Sequence, residues 1–344
     1  MSVALDIEDH TALEAYLHQS GRIAVGERPV MRTLTGGVSN RTVLVRRPGG
    51  ETWVVKQALE KLRVAVDWFS NPSRIEREAL GIHWLGRLAP PGSIPRYIFE
   101  DRDHHLVAMA AVPEPHDNWK LLLLSGQVHE AHIRQFGELL GTIHSNAYEH
   151  RTELAELFRD RSFFESLRIE PYYAYTASQV AESIEFYKRL IADTQACLLT
   201  LVHGDYSPKN ILIHGDRLVL LDHEVIHFGD PAFDLGFSLT HLLSKAHHLP
   251  SLRTDFAVAT LQYWQFYRSA LGSVPWKDDL EARAVRHALG CLLGRVRGRS
   301  TLEYLAPAER TRQQQAVVPL MHNPPPSVPE LVAQFLSRLE GGSP

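Results

Sequence analysis

The chain has 344 residues, and 36 basic against 40 acidic side chains leave a formal charge of −4 at pH 7, which excludes a nucleic-acid binder driven by bulk positive charge. With 44% hydrophobic and 22% charged residues the disordered and fibrous classes are excluded too, and the length predicts two domains with ordinary cores. Two cysteines, Cys197 and Cys291, are too few for a disulfide framework or a thiolate metal cage, so a reducing cytoplasmic setting is expected.

The first residues, MSVALDIEDH, carry acids where a signal peptide carries basic residues, and no apolar run approaches the ~20 residues that span a bilayer. Neither export nor membrane insertion is expected. Thr11 and Glu14 have capping-box spacing, and Leu13, Tyr16 and Leu17 follow at helical intervals, which predicts a short amphipathic helix. From Met31 to Leu59 the pattern turns to short β-rich runs, Arg41 to Arg46 and Thr52 to Gln57, parted by Pro48-Gly49-Gly50. Between two of the candidate strands lies Thr35-Gly36-Gly37-Val38-Ser39-Asn40. Its backbone N–H groups at Gly36, Gly37, Ser39 and Asn40 could cradle phosphates, although Gly-Gly turns are common. Lys56 closes the next strand, and the apolar stripe of Ile75, Ala79, Leu80, Ile82 and Leu85 predicts a helix over 73–88 that carries Glu76 and Glu78. A strand lysine paired with a helix glutamate is the ion pair kinases hold on ATP phosphates; a solvated edge lysine is the simpler alternative. The strand Leu106 to Val112 ends in Val-Pro-Glu-Pro-His, and two prolines so close place a domain boundary after residue 112.

Residues 113–344 read as mainly helical. Ile133, Phe136, Leu140 and Ile143 share one face of a predicted helix over 130–144, and 180–199 reads alike. Between them lies an aperiodic segment with Phe163, Phe164, Tyr172, Tyr173 and Tyr175, which is either packing or a substrate-side insertion. Ile211 to Ile213 and Leu218 to Leu221 flank a hairpin turn at His214-Gly215-Asp216-Arg217. Asp230-Pro231 then supplies a cap and a first-turn proline for a helix to about Leu243. A last helix follows the capping box of Ser327 and Glu330 and stops at Gly341-Gly342.

The densest chemistry lies in 201–236, LVHGDYSPKNILIHGDRLVLLDHEVIHFGDPAFDLG. Asp205 and Asn210 stand five apart on a turn before a strand, and Asp222 follows the second strand. Phosphoryl transfer needs such a set: a carboxylate to accept a hydroxyl proton, and an amide plus a second carboxylate to hold Mg²⁺ on the phosphates. Lys209, four residues after Asp205, is either a point charge for the transferred phosphoryl group or a surface lysine. The basic stretch Gly294-Arg295-Val296-Arg297-Gly298-Arg299-Ser300 would suit an anionic acceptor, and a solvated helix end is its simpler reading.

His203-Gly204-Asp205 with Asn210, then Leu220-Leu221-Asp222, then Gly229-Asp230-Pro231-Ala232-Phe233-Asp234, resembles the aminoglycoside phosphotransferase and choline kinase superfamily of protein-kinase-like small-molecule kinases. The glycine turn, Lys56 and Arg77-Glu78-Ala79 fall in the same order, and the resemblance covers about residues 30 to 300. It implies an α+β, bilobal protein-kinase-like fold with a small β-rich N-lobe and a larger, mainly helical C-lobe. It further implies Asp205 as catalytic base, Asn210 and Asp222 as metal ligands, Lys56 on the α and β phosphates of ATP, and Glu78 as its partner, with Glu76 as the alternative. Asp234 would brace the catalytic loop, and His203 would hold that loop. Protein-kinase features are missing: there is no GxGxxG, Asp222 is followed by His223-Glu224 rather than Phe-Gly, and no Ala-Pro-Glu follows. A small-molecule acceptor in the helical lobe is therefore expected.

The expected activity is thus an ATP- and Mg²⁺-dependent phosphotransferase acting on a hydroxyl of a small molecule, with no nucleic-acid or membrane partner. A nucleotide-binding pseudokinase or regulatory module is the alternative within the fold. His223-Glu224-Val225-Ile226-His227 also matches the H-E-x-x-H of zinc hydrolases, which works only on a helix. The β-branched pair Val225-Ile226 and the following Phe228-Gly229-Asp230-Pro231 argue against one.

Overall fold

Period-two alternation builds the first unit. Val30–Thr33 (β1), Asn40–Arg46 (β2), Thr52–Ala58 (β3), Tyr97–Asp101 (β4) and Leu106–Ala110 (β5) form an antiparallel sheet of order β1-β2-β3-β5-β4 in the computed structural model, which describes residues 5–35, 37–63 and 67–340. The register pairs Val43 with Val55 and Val45 with Trp53, so these buried side chains share one face with Leu106 and Ala108 of β5. Leu13, Tyr16 and Leu17 of the helix His10–Gln19 cover that face. Val107 and Met109, the alternate residues of β5, meet Ile75, Ala79 and Ile82 of the helix Arg74–Leu88 on the other. The first helix starts one residue before the expected cap. Asp9 caps it, its Oδ1 accepting from Thr11 N at 3.0 Å and Ala12 N at 3.1 Å, so Thr11 lies inside the helix. This unit runs through Arg87, takes in Ile94–Glu114 and also holds Asp222–Glu224.

The second unit comprises Leu88–Ser93, Pro115–Leu221 and the chain from Val225 onward. Its centre is the helix Ala232–His248, buried along nearly its whole length by Phe233, Leu235, Phe237, Leu239, Leu242 and Leu243. Its polar residues Asp234, His241 and Lys245 are buried as well, so the whole helix lies inside the unit, and it runs a turn past the expected end. Glu130–Glu149 packs against Arg253–Leu271 so closely that a Cβ on Gly137 would come within 2.7 Å of the Tyr263 carbonyl. Glycine is what lets those backbones approach. Thr200–Val202 pairs antiparallel with His227–Gly229, and Ile211–His214 turns at Gly215 (φ 56°) into Arg217–Leu220. Among the described residues no helix is long and apolar enough to cross a membrane.

Candidate active site

In the sheet unit, Lys56 stands on β3, and its Nζ donates to Glu78 Oε1 at 2.6 Å and to Asp222 Oδ1 at 3.0 Å. Burial works against the Lys56 ammonium, but the Asp222 and Glu78 carboxylates beside it overcome that and hold its pKa well above the ordinary lysine value. Burial pushes the Glu78 carboxyl up, an effect that the Lys56 ammonium only partly offsets. Of the two helix acids, Glu78 meets Lys56. Glu76, two positions away and so on another face, points to Arg102 at 3.8 Å. Asp222 adopts a left-handed backbone at φ 68°, a costly conformation for a residue with a side chain and one that concentrates at functional sites.

Beside this triad lies a second cluster of the same unit. Glu224 Oε2 accepts from Arg74 Nε at 3.1 Å and from Asn40 Nδ2 at 3.3 Å. Arg74 is fully buried and also donates to the backbone carbonyls of Ser39 and Leu59. It therefore ties the residues that follow the glycine turn to the Asp222–Glu224 segment. Gly36 lies outside the described residues. A Cβ on Gly37 would meet only the Asn40 carbonyl, at an ordinary 3.7 Å, so sterics do not demand glycine there. Ser39 and Asn40 are both buried, and Asn40 Oδ1 has no hydrogen-bond partner among the described residues.

In the helical unit, the turn after Thr200–Val202 carries His203, Gly204 and Asp205. Gly204 has φ 77°, and a Cβ there would lie 2.9 Å from the Val225 carbonyl, so the turn requires glycine. Asp234, fully buried in the first turn of the central helix, accepts from the backbone N–H of His203 at 2.7 Å and of Gly204 at 2.8 Å. His144 Nε2 lies 3.3 Å from the same carboxylate. Burial alone would raise the Asp234 pKa, but His144, His203 and these hydrogen bonds hold it below the ordinary value. The brace sets the direction of the next residue. Asp205 Oδ2 accepts from Asn210 Nδ2 at 2.6 Å and pairs with Arg168 Nη2 at 3.0 Å, while the Asp205 N–H donates to His203 Nδ1 at 3.2 Å. Asn210 uses its amide N–H on Asp205, so the atom it can offer a cation is its carbonyl oxygen. The Lys209 side chain is exposed, and its backbone carbonyl accepts from Asn118 at 2.8 Å.

The H-E-x-x-H match is not helical. Residues 223–226 form a turn and an irregular segment, and His227 opens a strand with its ring stacked on Phe164 at 3.9 Å. Among the described residues no three His, Cys, Asp or Glu side chains gather as a metal site.

Residues 30–270 match the phosphotransferase enzyme family, APH. The chain belongs to that family. Methylthioribose kinase of Pectobacterium carotovorum subsp. carotovorum (strain PC1) is 25% identical over 231 residues, covering 58% of this chain and 56% of that protein. The chain thus spans about half the length of the curated relatives it matches. Among solved structures, the amicoumacin kinase hAmiN in complex with AMP-PNP, Ca²⁺ and Ami matches with a TM-score of 0.60 at 12% identity, covering 92% of this chain and 97% of that one. The macrolide 2′-phosphotransferase MphH from Brachybacterium faecium matches at 0.52 and 20% identity, covering 91% and 99%. These likenesses show the protein-kinase-like fold of the APH enzymes.

Within this APH-family chain two arginines escaped the sequence reading. Arg74, on the helix that carries Glu78, pairs instead with Glu224, and no spacing in the sequence marks that partner. Arg168 reaches Asp205 from a wide, π-type helix, Glu165–Ala174, that contains Pro171. Phe164, Tyr172 and Tyr173 of that aromatic segment are buried as packing. Arg295 corrects an expectation: instead of ending a helix in solvent it is buried, its Nη1 donating to Tyr172 Oη at 3.1 Å.

Proposed function

We propose that the protein is an ATP-dependent kinase of a small-molecule hydroxyl. The observation that carries the reading is the braced Asp205, whose turn is fixed by two backbone hydrogen bonds to Asp234 and whose Oδ2 lies 2.6 Å from Asn210. Asp205 takes the proton of the acceptor hydroxyl as its oxygen attacks the γ-phosphorus, and ADP leaves. Lys56, oriented by Glu78, neutralises the α and β phosphates. Residues 1–112 serve the nucleotide, with the turn holding Gly36, Gly37, Ser39 and Asn40 against its phosphates, and residues 113–344 supply the base and the acceptor site. Asn210 and Asp222 would hold the metal; a carbonyl and a carboxylate are hard oxygen donors, which suit Mg²⁺ rather than zinc. When bound, Mg²⁺ neutralises phosphate charge. Lys209 adds a point charge toward the transferred group. The family match and the kinases among its relatives support the same chemistry.

A pseudokinase has no need of a braced base, and Asp205 is that base. The test is acceptor-dependent ATP consumption across aminoglycosides, choline, methylthioribose, homoserine, sugars and hydroxy acids, run beside thermal melts with Mg²⁺ and ATP. Mg-ATP should raise the melting temperature, since it binds only the native state, and one acceptor class should stimulate ADP release. A thermal shift with no acceptor-dependent turnover would favour the binding module, and no shift with no turnover would overturn both.

A further inference from the structure

Deepening the kinase reading on which it rests, we propose that the acceptor carries an anionic group, a carboxylate or a phosphate, seated by His241, Lys245, Arg295 and Tyr304 in the helical unit. Lys245 lies on the central helix Ala232–His248 with none of its surface exposed, and among the described residues its Nζ donates only to the His241 carbonyl, at 3.2 Å. No carboxylate pairs with it among the described residues. Glu303, whose charge reaches it, is bonded to Lys120. His241, one turn earlier, is 5% exposed, and its Nε2 has no hydrogen-bond partner among the described residues. Tyr304 repeats the pattern: its hydroxyl is buried and unpartnered among those residues, and its ring centroid lies 5.4 Å from Lys245 Nζ. Arg295 donates Nη1 to Tyr172 Oη at 3.1 Å and to Ser300 Oγ at 2.9 Å, while its Nε is left without a partner among the described residues.

The charges around this cluster have one dominant sign. Burial first, then Arg295, Lys245, Lys120 and Lys209, drive the His241 pKa well below its ordinary value. Burial, Lys120 and Arg295 likewise press Lys245 down to about 7. Buried basic groups are kept from charging unless an anion meets them, and unpaired ones beside a proposed reaction centre mark a binding site for one. The cluster is continuous with the base. Tyr172 lies under both Arg295, whose Cζ is 5.3 Å from the ring centroid, and Arg168, at 5.8 Å, and Arg168 is the arginine bonded to Asp205. A cationic aminoglycoside or choline would meet repulsion here.

The test is calorimetric titration of the full chain with D-glycerate, glycerol 3-phosphate, glycerol and choline, on the wild type, Lys245→Met and Tyr304→Phe, each also melted with Mg-ATP. The expected result is that one of the two anions binds at millimolar concentration or better while glycerol and choline do not. Which anion binds identifies the carboxylate or the phosphate. Lys245→Met should weaken that anion at least tenfold and Tyr304→Phe severalfold, with the Mg-ATP shift retained in both. Binding of neither anion, equal binding in the wild type and Lys245→Met, or stronger binding of choline would overturn the proposal. Anion binding that depends on Lys245 in a protein with no response to Mg-ATP would keep the anion site and remove the kinase reading.

Discussion

Replacing Lys245 by methionine should stabilise the protein, although lysine is the residue with the hydrogen bond. Burial, with Lys120 and Arg295 adding to it, holds the Lys245 ammonium at a pKa of about 7 against an ordinary 10.5. Between those values the unfolded chain carries a proton that the folded chain has lost. The contribution of Lys245 to stability therefore rises with pH through that window, and its full penalty stands below about pH 7. At ~1.4 kcal/mol per tenfold in proton affinity, the penalty is roughly 4 to 5 kcal/mol. Methionine fills a similar volume without a charge and forfeits the bond to the His241 carbonyl, worth about 1 kcal/mol. A net gain of roughly 2 to 4 kcal/mol is expected near pH 6, shrinking to nothing as pH nears 10. His241, Arg295, Lys120, Glu303 and Tyr304 surround the residue, and the buried tyrosines titrate at high pH in both proteins. Urea unfolding of wild type and variant at matched pH isolates Lys245 as the difference between them. A variant less stable than wild type near pH 6, or a difference that does not vary with pH, would mean that Lys245 carries no burial penalty.

Asp234→Ala removes the acceptor for two buried backbone N–H groups and the carboxylate facing His144, and should cost roughly 3 to 5 kcal/mol by urea unfolding. A cost below about 1 kcal/mol would mean that Asp234 acts only as a charge in the first turn of its helix. Because its folded pKa lies below the ordinary 3.8, the wild type should hold this contribution above that pH and lose it as pH falls further, which acid titration of the two proteins would reveal. Lys56→Met should reduce turnover by at least about a hundredfold and weaken the Mg-ATP thermal shift, since Glu78 and Asp222 lose their shared cation. Full activity with an unaltered shift would remove Lys56 from the phosphate site.

The two units were legible for different reasons. The β-branched and aromatic runs Arg41 to Arg46 and Thr52 to Gln57 read as strands, and the alternation of side chains along a strand puts Val43, Val45, Trp53 and Val55 on one face, although Leu44 and Val54 between them are apolar too. The spacing of Asp205 and Asn210 was equally direct, because both stand on one short turn and meet there. Arg168 and Arg74 were harder, since each acts on a partner distant in sequence: Arg168 on Asp205, and Arg74 on Glu224 across 150 positions. No local pattern encodes such a pairing. Lys245 lies two residues beyond the expected helix end at Leu243, and its burial follows only from the helix continuing to His248. Arg295 was misjudged because a run of alternating basic residues suggests solvent, whereas Tyr172 and Ser300 enclose that one side chain. Thr11 lost the cap to Asp9 because the helix begins two residues earlier than its hydroxyl suggested, and either side chain is a competent cap.

Phosphoryl transfer from ATP to a hydroxyl with Asp205 as the base can be followed as product formation in the wild type and Asp205→Asn with the acceptor that the screen selects. Phosphorus NMR would read both ADP and the new phosphoester. The wild type should form them one to one and only with Mg²⁺ present. Asp205→Asn should lower kcat by about a thousandfold while leaving the Mg-ATP thermal shift in place, because a general base is worth roughly 10² to 10⁴ in rate and Asp205 is not assigned to the nucleotide. Turnover of Asp205→Asn within tenfold of wild type would remove Asp205 as the base, and ADP released with no phosphorylated acceptor would exclude transfer to a hydroxyl.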